Sequence, residues 1–283
     1  MHIIDLLICP KCKCELTLEL ICNNCSTSYN KEYGVYDMIS KKLSSNQTIL
    51  WNITDEDILK DDISLNEENN SNPNWIQDYY SKMSIETKIA QQKQSDYMKN
   101  WFSNLSGVVC DLATGLGSNL QRLLDSKNNL FKIVCIDISR NVLAITRKNK
   151  KTDDTRVYYV ATDCRYMSIK DNSFDYITSI AAFGNIPQSN KVAKELYRVL
   201  KPTGKLIIEG TYIDKNSESY KLAKNKKLEK GLVKEYLLDE LKKTGFINIE
   251  SIIIDKAIWN ENPYDLLPVA GDMQYFYIIT AEK

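Results

Sequence analysis

Four cysteines near the start of the chain, set as Cys9-Pro-Lys-Cys12 and Cys22-Asn-Asn-Cys25, have the spacing of a tetrahedral metal site. Each Cys-x2-Cys knuckle offers two thiolates from one tight turn. A hairpin between the knuckles then brings the two pairs together, an arrangement suited to Zn2+. The spacer Glu15 to Ile21 alternates polar and apolar residues, as an exposed strand does, and Cys14 reads as a bystander. A module this short cannot bury a core, so the metal is expected to supply much of its folding free energy. Cys110, Cys135 and Cys164 sit in apolar stretches and read as small buried hydrophobes.

A second chemical pattern begins at Val108-Val109-Cys110-Asp111-Leu112-Ala113-Thr114-Gly115-Leu116-Gly117. A short apolar strand ends in an acid, passes through a glycine-bearing turn and enters a helix from about Asn119. Glycine lets backbone approach a ligand closely, and the carboxyl end of such a strand is where doubly wound sheets bind nucleotides. Phe131 to Asp137 is a second strand ending in an acid, after which Ser139 caps a helix from Arg140 to about Lys148. Val157 to Val160 predicts a third strand, followed by Asp163 and Cys164, and Ser173 to Ile180 a fourth. A helix from Val192 to Leu200 stops at Lys201-Pro202-Thr203-Gly204, and Lys205 to Glu209 is the fifth strand. Alternating strands and helices of this kind predict an α/β fold with a parallel sheet. Leu120 stands where a dinucleotide fingerprint would have its third glycine, which argues against a dehydrogenase.

The series Asp111…Gly115-x-Gly117, Asp137, Asp163, Phe174-Asp175 and Leu200-Lys201-Pro202-x-Gly204 resembles the class I (type 11) S-adenosylmethionine-dependent methyltransferases over residues 90–210. The resemblance implies a doubly wound, Rossmann-like, seven-stranded sheet and S-adenosylmethionine as cofactor. It implies that the Asp111–Gly117 turn, with Ala113, Thr114 and Gly115, passes beneath the methionine part. Asp137, beside Ile138, would take the ribose hydroxyls, Asp163 and Cys164 would lie at the adenine edge, and Ile180 would complete the set. Ala113 and Thr114 replace a glycine and a cysteine common in that turn. The first 40 residues are distantly similar to the zinc ribbon of the ribosomal RNA guanine-N1 methyltransferases, with Cys25 where that family usually carries a histidine.

The acceptor side is less legible. His2 is the single histidine and lies ahead of the ribbon, so any general base would be a carboxylate or a tyrosine. Asn185 and Phe183, in the loop after the fourth strand, and Tyr212, after the fifth, are candidates for the acceptor site; no catalytic role is assigned. Tyr79 and Tyr80 could cover a cofactor, and Ala257 to Met273 could form a substrate wall. The lysines between Lys215 and Gly231 read as a solvated helix face, with phosphate contacts as the alternative.

Lys+Arg and Asp+Glu each number 37, a balance that disfavours binding by wholesale phosphate neutralisation. The absence of a long apolar run predicts no membrane span, and the N-terminal residues lack the pattern of a secretory signal, which together predict a cytoplasmic protein. Three segments are expected: a ribbon over 1–43, a polar linker or lid over 44–74, and a methyltransferase domain over 75–283. The favoured acceptor is a small metabolite, a natural product or a peptide. The alternatives are an RNA base methyltransferase that uses the ribbon for recognition, and a non-catalytic scaffold; oligomeric state is left open.

Overall fold

The computed structural model describes residues 2–39, 75–128, 130–150, 154–186 and 188–283. The expected linker over 44–74 lies outside them. Strands β1 (Asn30–Glu32) and β2 (Val35–Asp37) precede seven longer ones: β3 (Gly107–Leu112), β4 (Phe131–Asp137), β5 (Val157–Ala161), β6 (Phe174–Ile180), β7 (Leu200–Ile213), β8 (Ile247–Ile258) and β9 (Met273–Glu282). They form one sheet in the order β1-β2-β5-β4-β3-β6-β7-β9-β8.

Strands β3 to β7 pair in parallel, so their carboxyl ends share one edge, and β9 enters antiparallel between β7 and β8. The seven strands from β3 onward make a Rossmann-like methyltransferase sheet. The N-terminal hairpin extends it, because β2 pairs in parallel with β5 through Val35↔Tyr159 and Asp37↔Ala161.

The central strands are apolar on both faces because helices cover both. Val109, Cys110, Ile133, Val134, Ile136 and Ile177 are all fully buried. Opposite faces of the sheet feed two separate cores, one holding Cys110, Val134, Ile136 and Ile177, the other Val109, Ile133, Cys135 and Ile207. The N-terminal module contributes Ile3, Leu7 and Met38 to the first of these, so it shares the core of the sheet. Truncating one such buried aliphatic to alanine costs about 2–5 kcal/mol.

Helices fall close to where their caps and apolar spacing put them. Ser139 accepts from Val142 N at 3.2 Å and starts the helix Arg140–Asn149. Residues 75–102 form two helices, Trp75–Lys82 and Ile85–Phe102. Ser84 divides them because its hydroxyl accepts from Thr87 N at 3.0 Å, a cap that competes with continuing the helix. The helix Lys234–Thr244 ends at Gly245, whose φ of 113° suits a residue without Cβ. Among the described residues no helix is long and apolar enough to cross a membrane.

Candidate active site and metal centre

The two knuckles meet. The Sγ atoms of Cys9, Cys12, Cys22 and Cys25 all lie within 4.8 Å of one another, with Cys12–Cys22 at 3.3 Å and Cys9–Cys25 at 3.6 Å. Those separations are too long for a disulfide, whose sulfurs stand about 2.05 Å apart. They approach the roughly 3.8 Å between sulfurs that share a tetrahedral Zn2+ at 2.3 Å. The local backbone makes the turns: Lys13 N donates to Cys9 O and Ser26 N to Cys22 O. Each knuckle is followed by a left-handed residue, Lys13 (φ 62°) and Ser26 (φ 53°), which turns the chain back on itself. The backbone of Cys14 lowers the pKa of the Cys12 thiol, while the hydrogen bond between Cys12 and Cys22 works to raise that of the Cys22 thiol. The Cys14 side chain itself points at Cys12 O and lies outside the four-sulfur cluster.

At the carboxyl edge of the sheet, Asp111, Asp137 and Asp163 stand at or just past the ends of β3, β4 and β5. Asp111 is 1% exposed; its Oδ1 accepts from Asn119 Nδ2 at 2.6 Å, while its Oδ2 is buried with no partner. Burial pushes its carboxyl up to about 6, against the opposing hydrogen bonds from Asn119 and Thr114. Asp137 accepts from Gly115 N (2.9 Å) and Ser139 N (3.0 Å), one on each oxygen, leaving each oxygen a further lone pair for a hydroxyl. Burial raises its pKa, and the surrounding backbone amides oppose that shift.

The turn between them is tightly wound. Ala113 (φ 53°), Gly115 (φ 52°) and Gly117 (φ 77°) are all left-handed, so Ala113 adopts a conformation that glycine takes without strain. Thr114 hydroxyl donates to Asp111 O, and Thr146 hydroxyl donates to Gly115 O at 2.7 Å, fixing the loop from both sides.

A cleft opens here. Of the residues expected to hold a cofactor, Ala113, Asp137, Ile138, Asp163 and Cys164 line it. Thr114, Gly115 and Gly117 form the turn above, and Ile180, half-buried, packs against the second core. Asp163 is already engaged: Arg165 grips it with Nε (3.0 Å) and Nη2 (2.7 Å), and both side chains are almost wholly buried. Arg165, Thr162 and Ile186 also line the cleft, and sequence reasoning assigned them no role. Asp163-x-Arg165 was the one available signal for the pair, since residues two apart on a tight turn can bond locally.

On the acceptor side, Phe183 is 1% exposed and belongs to the first core. Asn185 ends the short turn Phe183–Asn185, and its side chain is not among the described parts. Tyr212 is 3% exposed, stacks on Tyr277 with ring centroids 3.8 Å apart, and shares a 2.9 Å hydrogen bond with Ser251. Burial raises its pKa, so it keeps its proton at neutral pH. Tyr79 packs edge-on to Tyr264 and faces Asp265, among residues of the segment between β8 and β9. That segment is tied down by Ser219, whose hydroxyl accepts from Val269 N and whose amide donates to Asp272 Oδ2. Within the lysine run, Lys221 pairs with Glu218 and Lys215 with Glu235.

Residues 110–208 match the family described as a methyltransferase domain. The chain is 33% identical over 149 residues to phosphoethanolamine N-methyltransferase 2 of Caenorhabditis elegans, covering 51% of this chain and 33% of that protein. It is 34% identical over 108 residues to the ubiquinone/menaquinone biosynthesis C-methyltransferase UbiE of Wigglesworthia glossinidia brevipalpis, covering 38% and 43%. Each match thus spans less than half of the relative's length. Among solved structures, phosphoethanolamine N-methyltransferase 2 of Haemonchus contortus, in complex with phosphomonomethylethanolamine and S-adenosylhomocysteine, superposes with a TM-score of 0.54 at 23% identity, covering 67% of this chain and 52% of that one. The chain carries the Rossmann-like methyltransferase fold, and its residues 110–208 match the methyltransferase domain family.

Proposed function

We propose that the protein is an S-adenosylmethionine-dependent methyltransferase acting on a small-molecule acceptor, with a structural zinc in its four-cysteine ribbon. The observation that carries this reading is the crevice at the ends of β3, β4 and β5. There a doubly amide-held carboxylate, Asp137, lines the cleft beside a left-handed turn, and at the root of that turn Asp111 is buried with one carboxylate oxygen unpartnered. These groups fit the cofactor. The Asp111 oxygen suits its positively charged methionine end, the free lone pairs of Asp137 suit vicinal ribose hydroxyls, and Ile138, Cys164 and Ile186 offer apolar walls to a planar base. Asp163 is held by Arg165 and reaches the base edge only as part of that pair.

The bound cofactor supplies a methyl group on a sulfonium, a good leaving arrangement for displacement by a nucleophile. The chain's part is to hold that centre rigid and aligned with the acceptor, and positioning of this kind accounts for a large share of the acceleration. With the single histidine, His2, ahead of the ribbon in sequence and Tyr212 held protonated, the proposed mechanism uses an acceptor that is nucleophilic without a histidine base. The named relatives, an amine methyltransferase and a quinone-pathway C-methyltransferase, favour a small-molecule acceptor.

Methyl-labelled S-adenosylmethionine offered with separate RNA, protein and small-metabolite fractions tests this. Label in the small-metabolite fraction is expected. Label entering RNA, and released by ribonuclease, would overturn the acceptor class.

A further inference from the structure

The N-terminal module and the cofactor crevice share one loop. Residues 162–170 begin on the crevice wall, at Thr162, Asp163 and Arg165, and the module grips them from Tyr166 to Lys170. Lys13, the residue after the ligand position Cys12, reaches Tyr166 O (3.4 Å) and Met167 O (3.2 Å) with its Nζ. Ile8 N donates to Ser168 O at 3.0 Å, Lys170 N donates to Leu6 O at 2.8 Å, and Leu7 bridges Ile169. From the other end of the module, Met38 O accepts from the Ser168 hydroxyl at 3.1 Å, and Met38 N donates to Ala161 O at 2.8 Å. Inside the loop, Ser168 N donates to the Thr162 hydroxyl at 3.1 Å, which carries the grip to the crevice wall.

Lys13 can do this only while the knuckle is formed. Its φ of 62° and its amide bond to Cys9 O belong to the turn that presents Cys9 and Cys12. A module of this size has little core of its own, so its turns depend on metal. We infer that metal binding at the four cysteines and cofactor binding in the crevice are thermodynamically linked, with Lys13 as the positioning residue that joins them. The inference rests on the cofactor reading above. Where the metal is absent, the loop loses the bonds from Lys13, and cofactor binding must then supply the ordering that the knuckle otherwise provides. Linkage is reciprocal, so the cofactor strengthens metal binding by the factor by which the metal strengthens cofactor binding.

The test uses full-length protein, zinc-loaded and chelator-stripped, titrated calorimetrically with S-adenosylhomocysteine. Stripping is expected to weaken binding at least tenfold. Saturating S-adenosylhomocysteine is expected to raise zinc affinity by the same factor in competition with a chromogenic chelator. Lys13→Met should keep its zinc and its thermal midpoint yet bind S-adenosylhomocysteine several-fold more weakly, and Lys13→Arg should restore most of the loss. Hydrogen exchange at the Ser168 and Lys170 amides should quicken in the stripped protein. If stripping unfolds the ribbon altogether, Lys13→Met with zinc in place decides the matter. Equal affinity in loaded, stripped and Lys13→Met proteins would overturn the linkage and leave the cofactor reading standing. Binding by none of them would sink both.

Discussion

The ribbon and the crevice solve the same problem, holding ligand atoms in a fixed geometry, with opposite means. In the ribbon the four sulfurs come from two short turns; on the spacer Leu18 (70% exposed) and Ile21 (41%) face outward, while Leu16 and Leu20 are buried in the core shared with the sheet. In the crevice, Asp111, Asp137 and Asp163 sit at or just past the ends of strands whose neighbours are fully buried, and the cleft draws on residues from Ala113 to Ile186. One site is drawn from two turns of chain, the other from the ends of buried strands. The consequence is that damage to the ribbon should act through metal loss, and damage to the crevice through affinity with the fold intact.

The largest expected effect separates the two directly. Cys22→Ser should abolish zinc binding, since structural zinc contributes about 10–16 kcal/mol in zinc-finger peptides. Elemental analysis of fresh wild type and variant reads this out, and metal-free wild type would refute the ribbon site. Asp137→Ala should leave the zinc content unchanged but weaken S-adenosylhomocysteine on the order of a hundredfold. Two hydrogen bonds to a charged group contribute about 1.5–3 kcal/mol each, with imperfect additivity.

Asp111 sharpens the comparison through pH. Its folded-state carboxyl, held up to about 6, lies above the value in the unfolded chain, so the folded state binds its proton more tightly. The stabilisation is therefore present at low pH and is lost as pH rises from about 4 through 6. Urea unfolding should show wild type falling behind Asp111→Asn by roughly 2–3 kcal/mol across that window. A flat difference would show that the acid is not protonated preferentially in the fold. The same variant should bind cofactor less well, a trade of function for stability.

Gly117→Ala should cost about 1–3 kcal/mol and loosen cofactor binding. The new Cβ would come within 2.6 Å of Thr146 Cγ2, and that threonine cannot swing away without giving up its bond to Gly115 O. His2→Ala should change neither zinc content nor methyl transfer; a large loss of turnover would show that the acceptor chemistry uses a histidine after all.

Much of both sites was legible before the fold was known. The knuckle spacing at residues 9–25 and the acid-glycine turn at residues 111–117 are short-range patterns, because the chemistry demands ligand atoms from one turn of chain. Ser139 was readable as a cap for the same reason. The division between the helices Trp75–Lys82 and Ile85–Phe102 was not legible, because a single hydroxyl, on Ser84, decides it.

By itself, the sequence determined the order of strands and helices, the two Cys-x2-Cys turns and the left-handed glycine turn, all of which depend on residues close together in the chain. Only the tertiary structure decided that the N-terminal hairpin would join β5 and that Phe183 and Tyr212 would turn into the core. Those outcomes depend on which face of a strand meets which neighbour. Register and burial are set by contacts between residues far apart in the chain, and no local pattern encodes them.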